Sequence, residues 1–193
     1  MEQAQELMLW GKYQDARDIF LAMKAEDRSN PEISYYLGLC DMGDEEWESA
    51  LEHFSECLAQ APHYVDADLD AGEALLALER EEEALARFTR VLAANPDHPR
   101  ALLSLARYWD YTENWEKAVE YYERTLSLGD GWDSPRFELA LAYIKVERFL
   151  EADLMLEGII TESLKRGTQA FMGEWAPGSR EDLARSISEM REE

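Results

Sequence analysis

Small and large apolar residues recur along the chain with a fixed period of 34 residues. Steps of 34 from Ala50 in both directions reach an alanine each time, and a large apolar residue stands four positions after each alanine. A third row follows three positions later, which completes the i, i+4, i+7 spacing of one face of an α-helix. The pattern therefore predicts five equivalent helices. Their rows are Ala16, Ala50, Ala84, Ala118 and Ala152; Phe20, Phe54, Phe88, Tyr122 and Leu156; and Met23, Cys57, Val91, Thr125 and Ile159.

A second helix precedes each of these in the same period. Its small row contains Gly38, Gly72, Ala106 and Ala140, each preceded by Leu or Ala. Polar stretches such as GDEEW separate the two helices, and Pro62 and Pro96 follow the second helix, which proline cannot continue. Asn30-Pro31 and Ser134-Pro135 are typical of a capping residue followed by proline at the first helical position. Each period therefore predicts a pair of helices joined by a turn.

This pattern resembles the tetratricopeptide repeat, with its Leu-Gly pair, its Ala-x-x-x-Phe motif and its closing Pro at a 34-residue period. The resemblance covers most of the chain and implies an all-α fold, a right-handed superhelical solenoid of about five helix-turn-helix units with a C-terminal capping helix. Ser34, Asp68, Leu102 and Arg136 depart from it, because the family often has Trp there. The residues that carry the resemblance are Leu37, Gly38, Ala50, Phe54 and Pro62, then Gly72, Ala84, Phe88 and Pro96.

The period divides the chain into an array over residues 1–162 and an extension over 163–193. The last helix of the array is expected to run to about Arg166 and to end near Gly167. Ser179 to Asp182 then has the pattern of a capping box, which predicts a final helix with Leu183, Ile187 and Met190 on one face. That helix is expected to cap the array, and binding of another chain is the alternative. The predicted units are about 1–28, 29–62, 63–96, 97–130 and 131–162.

Charge narrows the choice of partners. Asp and Glu number 42 against 19 Lys and Arg, which leaves a formal net charge of -23. Such a chain repels nucleic acid and anionic membrane surfaces, and it favours basic partners. No stretch approaches the ~18 apolar residues of a membrane span, so we expect no membrane insertion and a cytoplasmic protein. Cys40 and Cys57 lie in apolar helical patterns and are expected to be buried, reduced thiols.

The sequence carries no pattern typical of catalysis. His53, His63 and His98 lack a metal-ligand spacing, and no Cys-x-x-Cys, His-Glu-x-x-His or Gly-rich phosphate loop is present. Asp130 to Asp133 is acidic, but it lacks the alternating ligands of a calcium loop and is better interpreted as a solvated turn. We therefore expect no catalytic residue, no metal, no cofactor and no enzyme activity.

The resemblance implies a binding site on the concave surface, which the first helix of each pair lines in this family. The corresponding positions are apolar with a few charges, typical of a surface that binds a helix or a peptide. Packing of the same residues against neighbouring helices is an equal alternative. Arg100 could pair with an acidic group of a ligand. The candidate partner-binding residues are Tyr35, Leu39, Leu69, Glu73, Leu103, Arg107, Phe137 and Leu141.

The predicted function is that of a non-catalytic adaptor or scaffold, which binds an apolar or basic-amphipathic segment of another protein on this face. One alternative is a cytosolic chaperone that masks a hydrophobic client, such as a secretion-system substrate. Another is a homo-oligomer in which a second copy fills the groove.

Overall fold

The computed structural model describes residues 1–129 and 133–166, and over these residues it contains ten α-helices and no strand. The predicted all-α class is confirmed. The predicted C-terminal capping helix lies outside the described residues. The helices are α1 (Glu2–Leu9), α2 (Tyr13–Glu26), α3 (Pro31–Gly43), α4 (Trp47–Gln60), α5 (Val65–Ala77), α6 (Glu81–Ala94), α7 (Pro99–Tyr111), α8 (Trp115–Ser127), α9 (Asp133–Lys145) and α10 (Phe149–Arg166).

The contacts divide the chain into two compact units. Unit 1 is Met1–Tyr108 and unit 2 is Trp109–Glu193. Consecutive helices pack along the chain inside unit 1 from α1 to α6, and α8, α9 and α10 pack in order inside unit 2. Odd-numbered helices are the first members of the predicted pairs, and even-numbered helices are the second members.

The alanine rows form the contact between the two helices of a pair. All five grid alanines are buried, and so are the five large residues that follow them. In unit 1, a Cβ atom placed on Gly38 would lie 2.5 Å from the ring of Phe54, and one on Gly72 would lie 2.3 Å from the ring of Phe88. The missing side chains of Gly38 and Gly72 therefore let the phenyl rings of α4 and α6 lie directly against the backbones of α3 and α5.

The turn inside each pair repeats with the same period. Between the two helices stands one residue in the left-handed region, at φ 69° for Gly11 and at 62°, 59°, 58° and 60° for Glu45, Glu79, Glu113 and Glu147. Four of these five positions therefore hold a residue with a Cβ atom where glycine would be free of strain.

The predicted helix ends are largely correct. Asn30 caps α3, because its Oδ1 accepts a hydrogen bond of 3.0 Å from the N–H of Glu32, with Pro31 as the first helical residue. The last described helix ends at Arg166, as expected. The prediction for Ser134 as a cap is wrong, because α9 already begins at Asp133 and Ser134 lies inside the helix. Cys40 and Cys57 are free and buried, as predicted.

Unit 1 also buries two carboxylates beside its second helices. Asp41 is 1% exposed; its Oδ1 lies 3.1 Å from Arg17 Nε and its Oδ2 lies 2.8 Å from His53 Nδ1. Asp68 accepts hydrogen bonds from Arg87 at 3.0 Å and from Arg90 Nε at 2.7 Å. Buried charge of this kind needs such partners, because desolvation without them would be very unfavourable.

Candidate protein-binding site

The first helices α3, α5 and α7 carry six of the eight predicted site residues in unit 1. Tyr35 and Leu39 on α3 and Glu73 on α5 are partly exposed, whereas Leu69 is fully buried. On α7, Leu103 is buried and Arg107 is exposed. The leucines at 69 and 103 therefore lie beneath the surface, and Tyr35, Leu39, Glu73 and Arg107 supply what a partner would meet.

A hydrogen-bond network joins the three helices at this face. Tyr35 of α3 donates a hydrogen bond of 2.9 Å from its hydroxyl to Oδ2 of Asp70 on α5. Arg100 of α7 donates to the other oxygen of Asp70 and, at 2.8 Å, to Asp66 one turn away. The buried Asp70 carboxylate is thus held by a phenol and a guanidinium, which fixes three helices through one side chain.

Titration follows from this geometry. Burial, the Asp70 carboxylate and the hydrogen bond to it all raise the pKa of Tyr35, so its hydroxyl remains a donor. Burial alone would lower the pKa of Arg100, but Asp70 and Glu73 raise it above its ordinary value. Burial raises the pKa of Asp70 in spite of Arg100 and Tyr35. The network therefore holds its charges in place while leaving Asp70 harder to ionise than in water.

Glu73 is the acid of this face with the weakest pairing. Its side chain is 36% exposed, and its Oε1 lies 4.0 Å from Arg100 and 3.5 Å from the hydroxyl of Ser104. Burial and the Asp70 carboxylate raise the pKa of Glu73, and Arg100 and Arg107 offset only part of that rise. A cation from outside the chain would therefore find an acid whose charge is incompletely compensated.

Aromatic side chains border the network on α3. The Tyr35 ring lies 4.9 Å from that of Tyr64, 5.5 Å from that of Tyr36 and 6.0 Å from that of Phe54, measured between centroids. Tyr36 in turn stacks on Phe20 at 5.2 Å with an angle of 4° between the planes. Leu39 packs on the same side as Tyr35 and Tyr64. The face therefore combines a packed aromatic edge with a polar centre.

The sequence analysis missed the centre of this site. Asp66 and Asp70 were not among its candidates, and Arg100, expected to be available to a ligand, is bound to both of them. A signal was present, because Asp70 follows Leu69, the grid counterpart of Tyr35, and Asp66 stands one helical turn before it. The other two candidates, Phe137 and Leu141, lie on α9 in unit 2, where both are partly exposed.

Two further searches bear on other functions. Within residues 1–129 and 133–166, no group of three or more His, Cys, Asp or Glu side chains is arranged to hold a metal ion. No helix of that part of the chain has the length and apolar character needed to cross a bilayer.

Comparison with known proteins identifies the repeat. A family profile described as "Tetratricopeptide repeat" matches residues 41–108. No curated protein sequence matches the chain. Among solved structures, a tetratricopeptide-repeat protein of Thermus thermophilus is similar with a TM-score of 0.73 at 22% identity, covering 98% of this chain and 95% of that one.

Two other solved structures are similar over most of this chain. MamA of Desulfovibrio magneticus RS-1 has a TM-score of 0.69 at 20% identity and covers 88% of this chain and 94% of that one. PilF of Pseudomonas aeruginosa has a TM-score of 0.73 at 19% identity and covers 83% and 73%. Identities at this level establish the fold alone. The repeat profile and the shared solenoid fold together show that the chain belongs to the tetratricopeptide-repeat family.

Proposed function

We propose that the chain is a non-catalytic protein-interaction module, and that the face of α3, α5 and α7 binds a basic-amphipathic segment of a partner protein. The observation that carries this proposal is the continuity of the face in unit 1. Side-chain hydrogen bonds run from Tyr35 to Asp70 and from Arg100 back to Asp66 and Asp70, so three successive first helices present one surface.

The chemistry of the partner follows from the composition of that surface. Asp66, Asp70 and Glu73 outnumber the one guanidinium that they surround, and the chain as a whole carries a net charge of -23. Tyr35 and Leu39 provide an apolar edge beside these acids. A helix or extended segment with basic and apolar residues matches both halves of the surface.

A defined probe tests the site without knowledge of the natural partner. The probe is a fluorescein-labelled amphipathic peptide of about 18 residues made of Leu and Lys, compared with a Leu and Glu counterpart. Fluorescence anisotropy should show binding of the Lys peptide only. Glu73→Gln should weaken that binding by about fivefold, because the acid with the weakest pairing is the one that gains most from a partner cation.

The matched control is Glu52→Gln, which removes the same charge from the exposed outer face of α4. It should leave binding unchanged within about twofold. Equal losses in the two variants would mean that only the overall charge attracts the peptide, and the site would be rejected. Leu39→Asp tests the apolar edge, with circular dichroism as a check on folding. Leu103→Asp is unsuitable for this purpose, because Leu103 is buried.

A further inference from the structure

A second surface, on the outside of α10, breaks the pattern that the other second helices follow. Leu150 and Leu154 are 75% and 70% exposed, and a Cβ atom on Gly158 would meet nothing within 4 Å. These residues are spaced by four, so they lie on one side of the helix. We define them as the α10 outer face. Such a row of exposed apolar positions is unusual for a solvated helix.

The period shows how unusual this face is. The positions that correspond to Leu150 in the other second helices are all exposed and polar: Gln14, Glu48, Glu82 and Glu116. Those that correspond to Leu154 are Asp18, Glu52, Ala86 and Glu120, again all exposed. The same place on the repeat is therefore wet and mostly acidic in α2, α4, α6 and α8, and only α10 makes it apolar.

The α10 outer face differs from the surface that a sixth helix pair would cover. Leu51 of α4 packs against a cluster that includes Ala67 and Ala71 of α5, so its position points towards the following pair. The counterpart of Leu51 in α10 is Asp153. The apolar surplus of α10 lies on a different side, beside a cavity of about 270 Å³ that Leu126, Leu154, Met155 and Gly158 help to line.

Residues 167–193 follow α10 directly and supply a suitable occupant. We propose that the segment around Leu183, Ile187 and Met190 docks on the α10 outer face and covers Leu150 and Leu154. Residues 167–182 extend to about 50 Å, and the 18-residue helix α10 is only about 27 Å long, so the segment can reach the whole face.

Area and charge favour this occupant over a second copy. One side of such a helix offers about 300 Å², well below the roughly 800 Å² per partner of a stable complex between separate molecules. A tethered segment needs less area, because its effective concentration is in the millimolar range. On a helix, Arg180 and Arg191 fall in line with Ile187, and the exposed Glu157 borders the α10 outer face, so the charges match.

The test uses the full chain with a pair of introduced thiols, Leu154→Cys with Ile187→Cys. Burial raises the pKa of Cys40 to about 12 and that of Cys57 to about 11, so the native thiols react slowly. Mild oxidation with oxidised glutathione should form a disulfide within one chain, detected by peptide mass spectrometry. The control pair, Glu52→Cys with Ile187→Cys, uses the same place on the repeat in α4 and should give at least about fivefold less.

A second measurement does not depend on cysteine. Leu150→Glu with Leu154→Glu gives α10 the acidic pattern of the other second helices, so the helix should remain folded. Trypsin cleavage after Arg180 and Arg185 should then accelerate by about tenfold, because the segment is released. No enrichment over the control pair, or unchanged cleavage, would overturn the proposal. A disulfide between two chains, with a dimer in light scattering that the double Glu variant dissociates, would overturn it in favour of a second copy.

Discussion

Among the described residues, unit 1 buries the carboxylates of Asp41, Asp68 and Asp70, whereas unit 2 exposes Leu128, Leu150 and Leu154. Both units use the same helix pairs with the same alanine row and the same turn residue in the left-handed region. The residues that form a pair are therefore separate from the residues that give each pair its surface. Grid positions determine the fold, and the positions between them determine what each face can bind.

The largest expected effect comes from breaking the shared frame. Phe88→Ala removes a fully buried ring and should lower the free energy of unfolding by about 3–5 kcal/mol in urea denaturation. Gly72→Ala should also be destabilising, by about 1–3 kcal/mol, because its Cβ would lie 2.3 Å from that ring. In the Phe88→Ala background the same change should instead stabilise by up to about 1 kcal/mol, because alanine favours the helix and nothing opposes it. A destabilising Gly72→Ala in both backgrounds would contradict the contact.

The next effect tests whether the buried acids of unit 1 are held as the contacts indicate. Asp41→Ala leaves Arg17 and His53 without their shared acceptor and should lower the free energy of unfolding by about 2–3 kcal/mol. Asp44→Ala, at the end of the same helix, removes only an exposed hydrogen bond with Gln14 and should change it by less than about 0.5 kcal/mol. Similar losses in the two variants, measured by urea denaturation, would mean that burial of the Asp41 charge has no special role.

These contrasts show how far the sequence could lead. The rows at Ala50 and Phe54 predicted the helix pairs, because small and large side chains in fixed phase leave one way to pack. The polar network could not be found in this way. Asp70 becomes a buried acceptor only because Tyr35, on another helix, and Arg100, on a third, converge on it, and no periodic pattern encodes such a meeting. The outer face of α10 was present in the period, but its exposure had to be seen in the structure.

A smaller effect concerns the turn that both units share. Glu79 stands in the left-handed region with φ 59°, so Glu79→Gly should relieve strain. Part of the gain is offset by the added freedom of glycine in the unfolded chain, which leaves a net stabilisation of about 0.5 kcal/mol. Glu82→Gly, three residues later within α6, should destabilise by about 1 kcal/mol. Thermal unfolding of the two variants should therefore shift the melting temperature in opposite directions, and a decrease in both would contradict the strain.

The smallest effect connects the stability of unit 1 with its proposed function. Burial and the Asp70 carboxylate raise the pKa of Glu73 above its ordinary value of 4.5, so the folded chain binds this proton more readily than the unfolded chain does. The contribution of Glu73 to the free energy of unfolding must then fall as the pH rises above about 4.5. Glu73→Gln should therefore stabilise the chain at pH 7 by about 0.5 kcal/mol, a modest gain because the side chain is 36% exposed.

The same variant is expected to bind the basic peptide less tightly, and this pairing of effects gives the sharpest test. Denaturation at pH 7 and at pH 4 should show that the stability gain of Glu73→Gln shrinks in acid, because protonated Glu and Gln are both neutral. Glu52→Gln, on the exposed outer face of α4, should change neither stability nor binding. A variant that is more stable and binds less would show that an acid unfavourable for folding is one that a cationic partner uses. Loss of both stability and binding would instead assign Glu73 to the internal network alone.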